Sequence, residues 1–559
     1  MLGSTLVGQL LRWEQERPNA VYLVQPLPNG ELETYTWSEV AGQVKKMAAY
    51  LVWLGFPPKS QIAILGKNSA HWIIADLAIM MAGHVSVPLY PSLDSDTANY
   101  ILDHSESRLL FIGKMDVEGE EWVNYLRALP AEIPKVALPH SPAGLNGPTW
   151  GELISINSPI EYLPLPRSED LTTIIYTSGS TGTPKGVMHN NSSMLAVCHG
   201  FQRSFDMSPS DRMLSYLPLA HAAERAIVET ASLFYGFTVY FSDCQNTFSQ
   251  DLRRAKPTVF FSVPRLWLKF YSAVSCQLHP DQTALLESGL SNAEGLRKAV
   301  LKQLGLEDTR VALTGSAPIS EDIVSWYRAL GLEMLDCYGM SENFATSHVS
   351  RPGEVRSGYV GSPANGVLAR ISSSGELEVK SAGQMMGYYK SPEQTHDEMT
   401  EDGFFKTGDC GVIDHLGRLK ITGRVKDIFK TSKGKYIAPV PIEQRFDNIP
   451  GIETVCVMGS GLPSPFLMIA LEFQEKQRLI DTSDRVTFEE KLTEKLHRVN
   501  QDLQPHEKLA FVVVIGESWS IGNGLLTPTM KIKRSLIENA YQGLAAEWFD
   551  LNKTIIWYK

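Results

Sequence analysis

From about Tyr35 to Ile413, short apolar segments of strand length alternate with longer segments of helical periodicity. Few folds other than layered α/β accept that alternation. Gln61 to Leu65 and Leu109 to Ile112 read as buried strands, and Ala70 to Ala82 between them as a helix. At 559 residues the chain exceeds one compact core, so two or more domains are expected. Around Leu419 to Lys433 the pattern changes to short, charged, glycine-flanked segments. Beyond it come a short helix near Pro441 to Phe446 and apolar strands at Thr454 to Met458 and Phe466 to Phe473. A charged helix at Phe488 to Leu503 and a strand at Leu509 to Ile515 follow. That order describes a small α+β domain attached through Gly423 to Asp427.

A formal charge of −11 argues against nucleic acid as the main partner, since phosphate binding needs a basic face. Six scattered cysteines without a C-x-x-C pair offer neither a disulfide framework nor a zinc site and suit a reducing cytoplasm. The longest apolar stretch, Trp72 to Leu89, carries Asp76 and His84, which suits a buried helix and strand better than a membrane span. The N-terminal residues lack a basic leader and read as an amphipathic helix with Leu6, Leu10 and Leu11 inward, ending before Pro18. Trp557-Tyr558-Lys559 is not a peroxisomal address.

The strand Leu171 to Tyr176 runs directly into Thr177-Ser178-Gly179-Ser180-Thr181-Gly182-Thr183-Pro184-Lys185-Gly186. Glycines let backbone N–H groups face an anion, hydroxyls add donors, and Lys185 supplies charge. This is not a Walker A loop: Pro184 precedes the lysine, Gly186 follows it, and Val187 to His189 look extended. The competing reading, a surface linker, fits poorly with its place after a buried strand.

The loop resembles the signature of the acyl-adenylate-forming (AMP-binding) superfamily, which includes acyl-CoA synthetases, peptide-synthetase adenylation domains and beetle luciferases. Further elements follow in that family's order. Tyr338-Gly339-Met340-Ser341-Glu342-Asn343 is similar to its Tyr-Gly-x-Thr-Glu motif. The resemblance implies that Tyr338 stacks on adenine, Ser341 bonds the α-phosphate, and Glu342, with Thr177, holds magnesium. A flat base suits an aromatic face and a hard cation suits carboxylate oxygen; a turn capped by Ser341 is the alternative. Gly315-Ser316-Ala317 looks like the segment lining the adenine pocket, where small residues let backbone approach a ring. Asp409, in Phe405-Lys406-Thr407-Gly408-Asp409, falls where the family's aspartate accepts the ribose hydroxyls. Arg424 would contact the ribose and phosphate side, and Lys426 takes the hinge position. Lys531, in Leu526-Thr527-Pro528-Thr529-Met530-Lys531, lines up with the catalytic lysine of the C-terminal domain, with Lys533 or Arg534 as rival cations. Two anions meet when a carboxylate attacks the α-phosphorus, and charge stabilisation there requires such a lysine.

Leu217-Pro218-Leu219-Ala220-His221-Ala222-Ala223-Glu224-Arg225 is similar to the acyl-binding element of long-chain fatty acyl-CoA synthetases, which would set His221 between carboxylate and nucleotide. An isolated histidine would otherwise be read as structural. Lys433-Gly434-Lys435-Tyr436 resembles the loop lining the coenzyme A thiol channel. The stretch between Trp267 and Thr314 is shorter than in many bacterial long-chain enzymes, which leaves acyl length open. The resemblance implies an α/β fold: a large N-terminal domain, 1–425, of mixed sheets flanked by helices plus a β-barrel subdomain, and a small mobile α+β domain, 426–559. It implies ATP, Mg2+ and coenzyme A as reactants, and a medium- or long-chain fatty acid activated as its acyl-AMP. A separate carrier protein is the alternative acceptor, another carboxylic acid activated by the same step is the alternative substrate, and peripheral membrane contact is left open.

Overall fold

The computed structural model describes residues 2–558 except 118, 162–164, 179–182, 288–290, 447–448, 450, 480–481, 521 and 528–530. The fold is mixed α/β. Among the described residues, four sheets lie before residue 425 and two after it. The largest runs in the order Gly387–Tyr388, Pro184–Asn190, Leu171–Ser178, Val85–Leu89, Gln61–Leu65, Leu110–Ile112, Lys135–Ala137. It is parallel from Leu171–Ser178 onward, and its first two strands are antiparallel additions at the edge.

The helix Ala70–Met81 shows how charge is accommodated inside this layer. Ser69 caps it by accepting from the Trp72 N–H, and every residue of the helix is buried. Buried Asp76 meets the Arg225 guanidinium and the Ser86 hydroxyl. Arg225 also donates to Glu229 at 2.9 Å and to Thr173 Oγ1 at 2.6 Å. Charges this deep persist only when paired and hydrogen-bonded. No described helix is long and apolar enough to cross a membrane. At the N-terminus, the helix Leu6–Glu16 buries Leu6 and Leu10, while Leu11 is half-buried.

A second sheet sets Val259–Ser262, Val311–Gly315 and Met334–Tyr338 in parallel, then adds two short antiparallel strands. A third sheet is antiparallel, in the order Leu368–Ile371, Glu376–Lys380, Phe405–Ile413, Leu419–Arg424.

After residue 428 the core changes hands. One face of the Ile452–Met458, Phe466–Leu471, Val512–Ile515, Ile555–Tyr558 sheet buries Ile469 and Val514 against Leu492 and Phe446. The other buries Met468 and Val513 against Ile537 and Trp548. These two clusters draw only on residues from Phe429 to Tyr558. Strand boundaries move slightly from their expected places: the second strand stops at Leu471, because a helix starts at Phe473, and the third starts at Val512. The charged helix begins earlier, at Thr482. The helix Arg534–Asp550 and the edge strand Ile555–Tyr558 were not anticipated.

Candidate active site

One cavity of about 1860 Å³ collects most of the residues singled out in the sequence. Its phosphate end is an antiparallel hairpin in which Thr177 stands opposite Lys185. Both side chains line the cavity. Gly179, Ser180, Thr181 and Gly182 lie outside the described residues, as does the Ser178 side chain, and Thr183 is exposed. The Lys185 ammonium lies 2.8 Å from the Tyr388 hydroxyl, 3.4 Å from Glu398 and 3.7 Å from Glu342.

The carboxyl ends of the parallel strands Val311–Gly315 and Met334–Tyr338 form a second wall, where ligands commonly bind in such sheets. They deliver Gly315, Ser316, Ala317, Tyr338 and Gly339 to the cavity. Glycine is required at 339, because a Cβ there would lie 2.2 Å from the backbone carbon of Ala345. Ser341 and Glu342 follow, held from behind by His189, whose Nε2 lies 2.7 Å from the Ser341 carbonyl. Burial pushes the His189 pKa down to about 4, opposed by that bond, so the ring is neutral and donates.

The third wall is a cross-strand pair. Asp409 and Arg424 face each other across the antiparallel sheet, Nε to Oδ1 3.1 Å. Tyr338 donates to the other Asp409 oxygen at 2.6 Å. Asp409 is only 5% exposed. Asp336, two residues before Tyr338, also lines the cavity, and burial raises its pKa to about 8.

His221 caps a short helix, its Nδ1 accepting from the Ala223 N–H at 3.1 Å, which leaves Nε2 as the donor. Burial and then the nearby Lys531 charge lower its pKa to about 4. Asn68 fixes this segment by donating to the Leu217 carbonyl and accepting from the Leu219 N–H. Tyr90, Ala223, Ile227, Phe261 and Leu268 give the adjoining wall an apolar surface.

Lys531 arrives from the C-terminal region, tied to Thr527. The Thr527 N–H donates to the Lys531 carbonyl at 2.8 Å, and the Lys531 N–H to Thr527 Oγ1 at 3.0 Å. The residue is exposed and lines the cavity. Desolvation, then Arg424, lowers its pKa to about 8 against the pull of Asp409. Lys426 lines the same cavity from the turn Val425–Asp427. The structure does not bring Lys433, Gly434, Lys435 and Tyr436 there. They sit on an outward hairpin, with Tyr436 66% exposed.

Sequence reasoning missed His189, Asp336, Tyr388 and Glu398. Two of these had a signal: strand alternation puts His189 on the face of Lys185, and Asp336 on the face of Tyr338. Tyr388 and Glu398 had none, being some two hundred residues from the lysine they touch.

Against known proteins, the chain matches a family model described as "AMP-binding enzyme" over residues 10–389. A second model, "AMP-binding enzyme C-terminal domain", matches residues 426–550. Long-chain-fatty-acid–CoA ligase 1 of Homo sapiens is 28% identical, covering 99% of this chain and 87% of its own length. Long-chain-fatty-acid–CoA ligase FadD15 of Mycobacterium tuberculosis is 29% identical, with 95% and 94% covered. The crystal structure of the anthranilate CoA ligase AuaEII with anthranoyl-AMP superposes with a TM-score of 0.79 at 20% identity, covering 98% of this chain and 99% of that one.

Proposed function

Because the chain belongs to the AMP-binding enzyme family and is an acid–thiol ligase of the AMP-forming type, we propose that it activates a medium- or long-chain fatty acid for transfer to coenzyme A. One observation carries the reading. Lys531, from a region with its own core, meets Lys185, Glu342, Asp409 and Arg424 around one cavity with an apolar annex.

In the proposed reaction Asp409 and Arg424 hold the ribose, while Tyr338 and the Gly315 to Ala317 segment flank the adenine. His221 orients the acid, whose chain runs along Ala223, Ile227 and Phe261. Lys185 and Lys531 neutralise the phosphates as the carboxylate attacks the α-phosphorus and pyrophosphate leaves. Glu342 fits a hard cation. Its Oε1 and Glu398 Oε2 both face the Tyr388 hydroxyl, at 2.9 and 2.5 Å, and a phenol has one proton for two carboxylates. Magnesium held by Glu342, with Thr177 nearby, would supply charge neutralisation.

The acyl-AMP is then attacked by the coenzyme A thiol, and AMP leaves. For this second step we divide the chain into 1–425 and 426–559 and assign a rotation about Lys426. The rotation withdraws Lys531 and brings the Lys433 to Tyr436 loop to the cavity. The six free cysteines fit a cytoplasmic location, where thiols stay reduced.

A panel of carboxylic acids, scored by acid-dependent ATP–pyrophosphate exchange and by AMP release with and without coenzyme A, tests the reading. Exchange with fatty acids, and AMP release that requires coenzyme A, is the expected result. Exchange with no acid in the panel would overturn adenylation. AMP release with a carrier protein but not with free coenzyme A would overturn the acceptor.

A further inference from the structure

We propose that Glu398, acting through Tyr388, is a positioning residue that holds the Lys185 ammonium at the phosphate end of the cavity. The inference rests on the adenylation chemistry proposed above for the same site.

The Tyr388 hydroxyl is the hub. It accepts from Lys185 at 2.8 Å, and the ammonium also sits 4.0 Å from the centre of the tyrosine ring, in cation–π contact. The phenol has a single proton to give, and Glu398 Oε2 at 2.5 Å lies nearer than Glu342 Oε1 at 2.9 Å. Glu398 uses its other oxygen as well, facing Lys185 at 3.4 Å and accepting from Gln394 Nε2 at 3.2 Å. The two glutamates therefore divide the work: Glu398 is spent on tyrosine and lysine, and among the described residues Glu342 keeps an oxygen without a donor.

The cradle is rigid where the lysine is not. Tyr388 is 2% exposed, pairs with Val187 on the strand that carries Lys185, and donates its N–H to Thr395 Oγ1 at 2.9 Å. Glu398 is anchored through its backbone, its N–H donating to the Gln394 carbonyl and its carbonyl accepting from the Lys406 N–H. A lysine side chain has four rotatable bonds, and a fixed acceptor pair removes that freedom before the nucleotide arrives.

Electrostatics sharpens the argument. A second carboxylate beside a triphosphate site repels the ligand. Glu398 therefore opposes ATP binding, and its contribution must appear in the chemical step, through the place at which it holds Lys185. Removing its charge should spare the ATP KM, or lower it, while reducing kcat.

The test is steady-state ATP–pyrophosphate exchange by Glu398→Gln, Glu398→Asp and Tyr388→Phe, alone and combined with Lys185→Ala, with magnesium titrated in each. Expected are a kcat loss on the order of tenfold for Glu398→Gln and for Tyr388→Phe, an unchanged or lower ATP KM, and partial recovery in Glu398→Asp. In the Lys185→Ala background, Glu398→Gln should cost less than about twofold more, because the group it positions is gone. Full additivity of the two substitutions would overturn the proposal. So would a Glu398→Gln defect abolished by excess magnesium, which would make Glu398 a metal ligand. If Lys185→Ala itself retained full exchange, the adenylation reading of the cavity would fall instead.

Discussion

At the scale of single residues, Lys531 carries the sharpest expectations. Its ammonium comes from the C-terminal region and acts on His221, under the influence of Arg424 and Asp409. Lys531→Ala should lower adenylation by about 10²–10³ and leave thioester formation from supplied acyl-AMP largely intact, as separate half-reaction assays would show. Its pKa, lowered to about 8, sets a pH dependence. In the proposed mechanism the protonated form is the active one, so adenylation should decline as pH rises through 8. Lys531→Arg, protonated across that range, should remove this limb from the kcat profile. Lys531 and Asp409 were legible because each lies in a contiguous motif. Tyr388 and Glu398 were not, because their meaning comes from a lysine on another strand, and no local pattern records a contact across the fold.

At the scale of elements, the strand–loop–strand from Leu171 to Asn190 was readable, since a buried apolar run stops abruptly at hydroxyls and glycines. The turn after Tyr338 depends on close backbone approach. Gly339→Ala forces a Cβ into the Ala345 backbone and must displace Ser341 and Glu342. A shift of about 1 Å there should cost on the order of 10² in kcat/KM for ATP, measured by exchange on protein whose circular dichroism is unchanged. Arg225 ties the helix Ala70–Met81 to the loop-bearing strand through Asp76 and Thr173, with side chains fully buried. Arg225→Met leaves Asp76 and Glu229 buried together without a cation. Urea denaturation should show a loss of about 3–5 kcal/mol. The sequence exposed Asp76 as an oddity within an apolar run, but not its partner, which lies 149 positions away.

At the scale of the molecule, the texture of the sequence changes near Leu419, and two apolar clusters draw only on residues from Phe429 to Tyr558, while part of their covering layer went unseen. The strand Ile555–Tyr558 is only four residues long and joins the sheet in parallel, so neither a hairpin turn nor a clear alternation announces it. An ion pair, Arg265 to Glu453 at 2.9 Å, joins the two regions in the arrangement that places Lys531 in the cavity. Arg265→Glu should slow adenylation about two- to fivefold, the range of a partly exposed pair, and the reversed pair Arg265→Glu with Glu453→Arg should recover it in the same exchange assay. In the rotation proposed above, the outward Lys433 to Tyr436 turn and the Lys531 ammonium take the cavity in succession, not together. Turnover must then queue: the thiol waits until pyrophosphate has gone. Double-reciprocal plots of rate against ATP at several coenzyme A concentrations should be parallel lines, and lines converging on a common point would mean that both substrates are held at once.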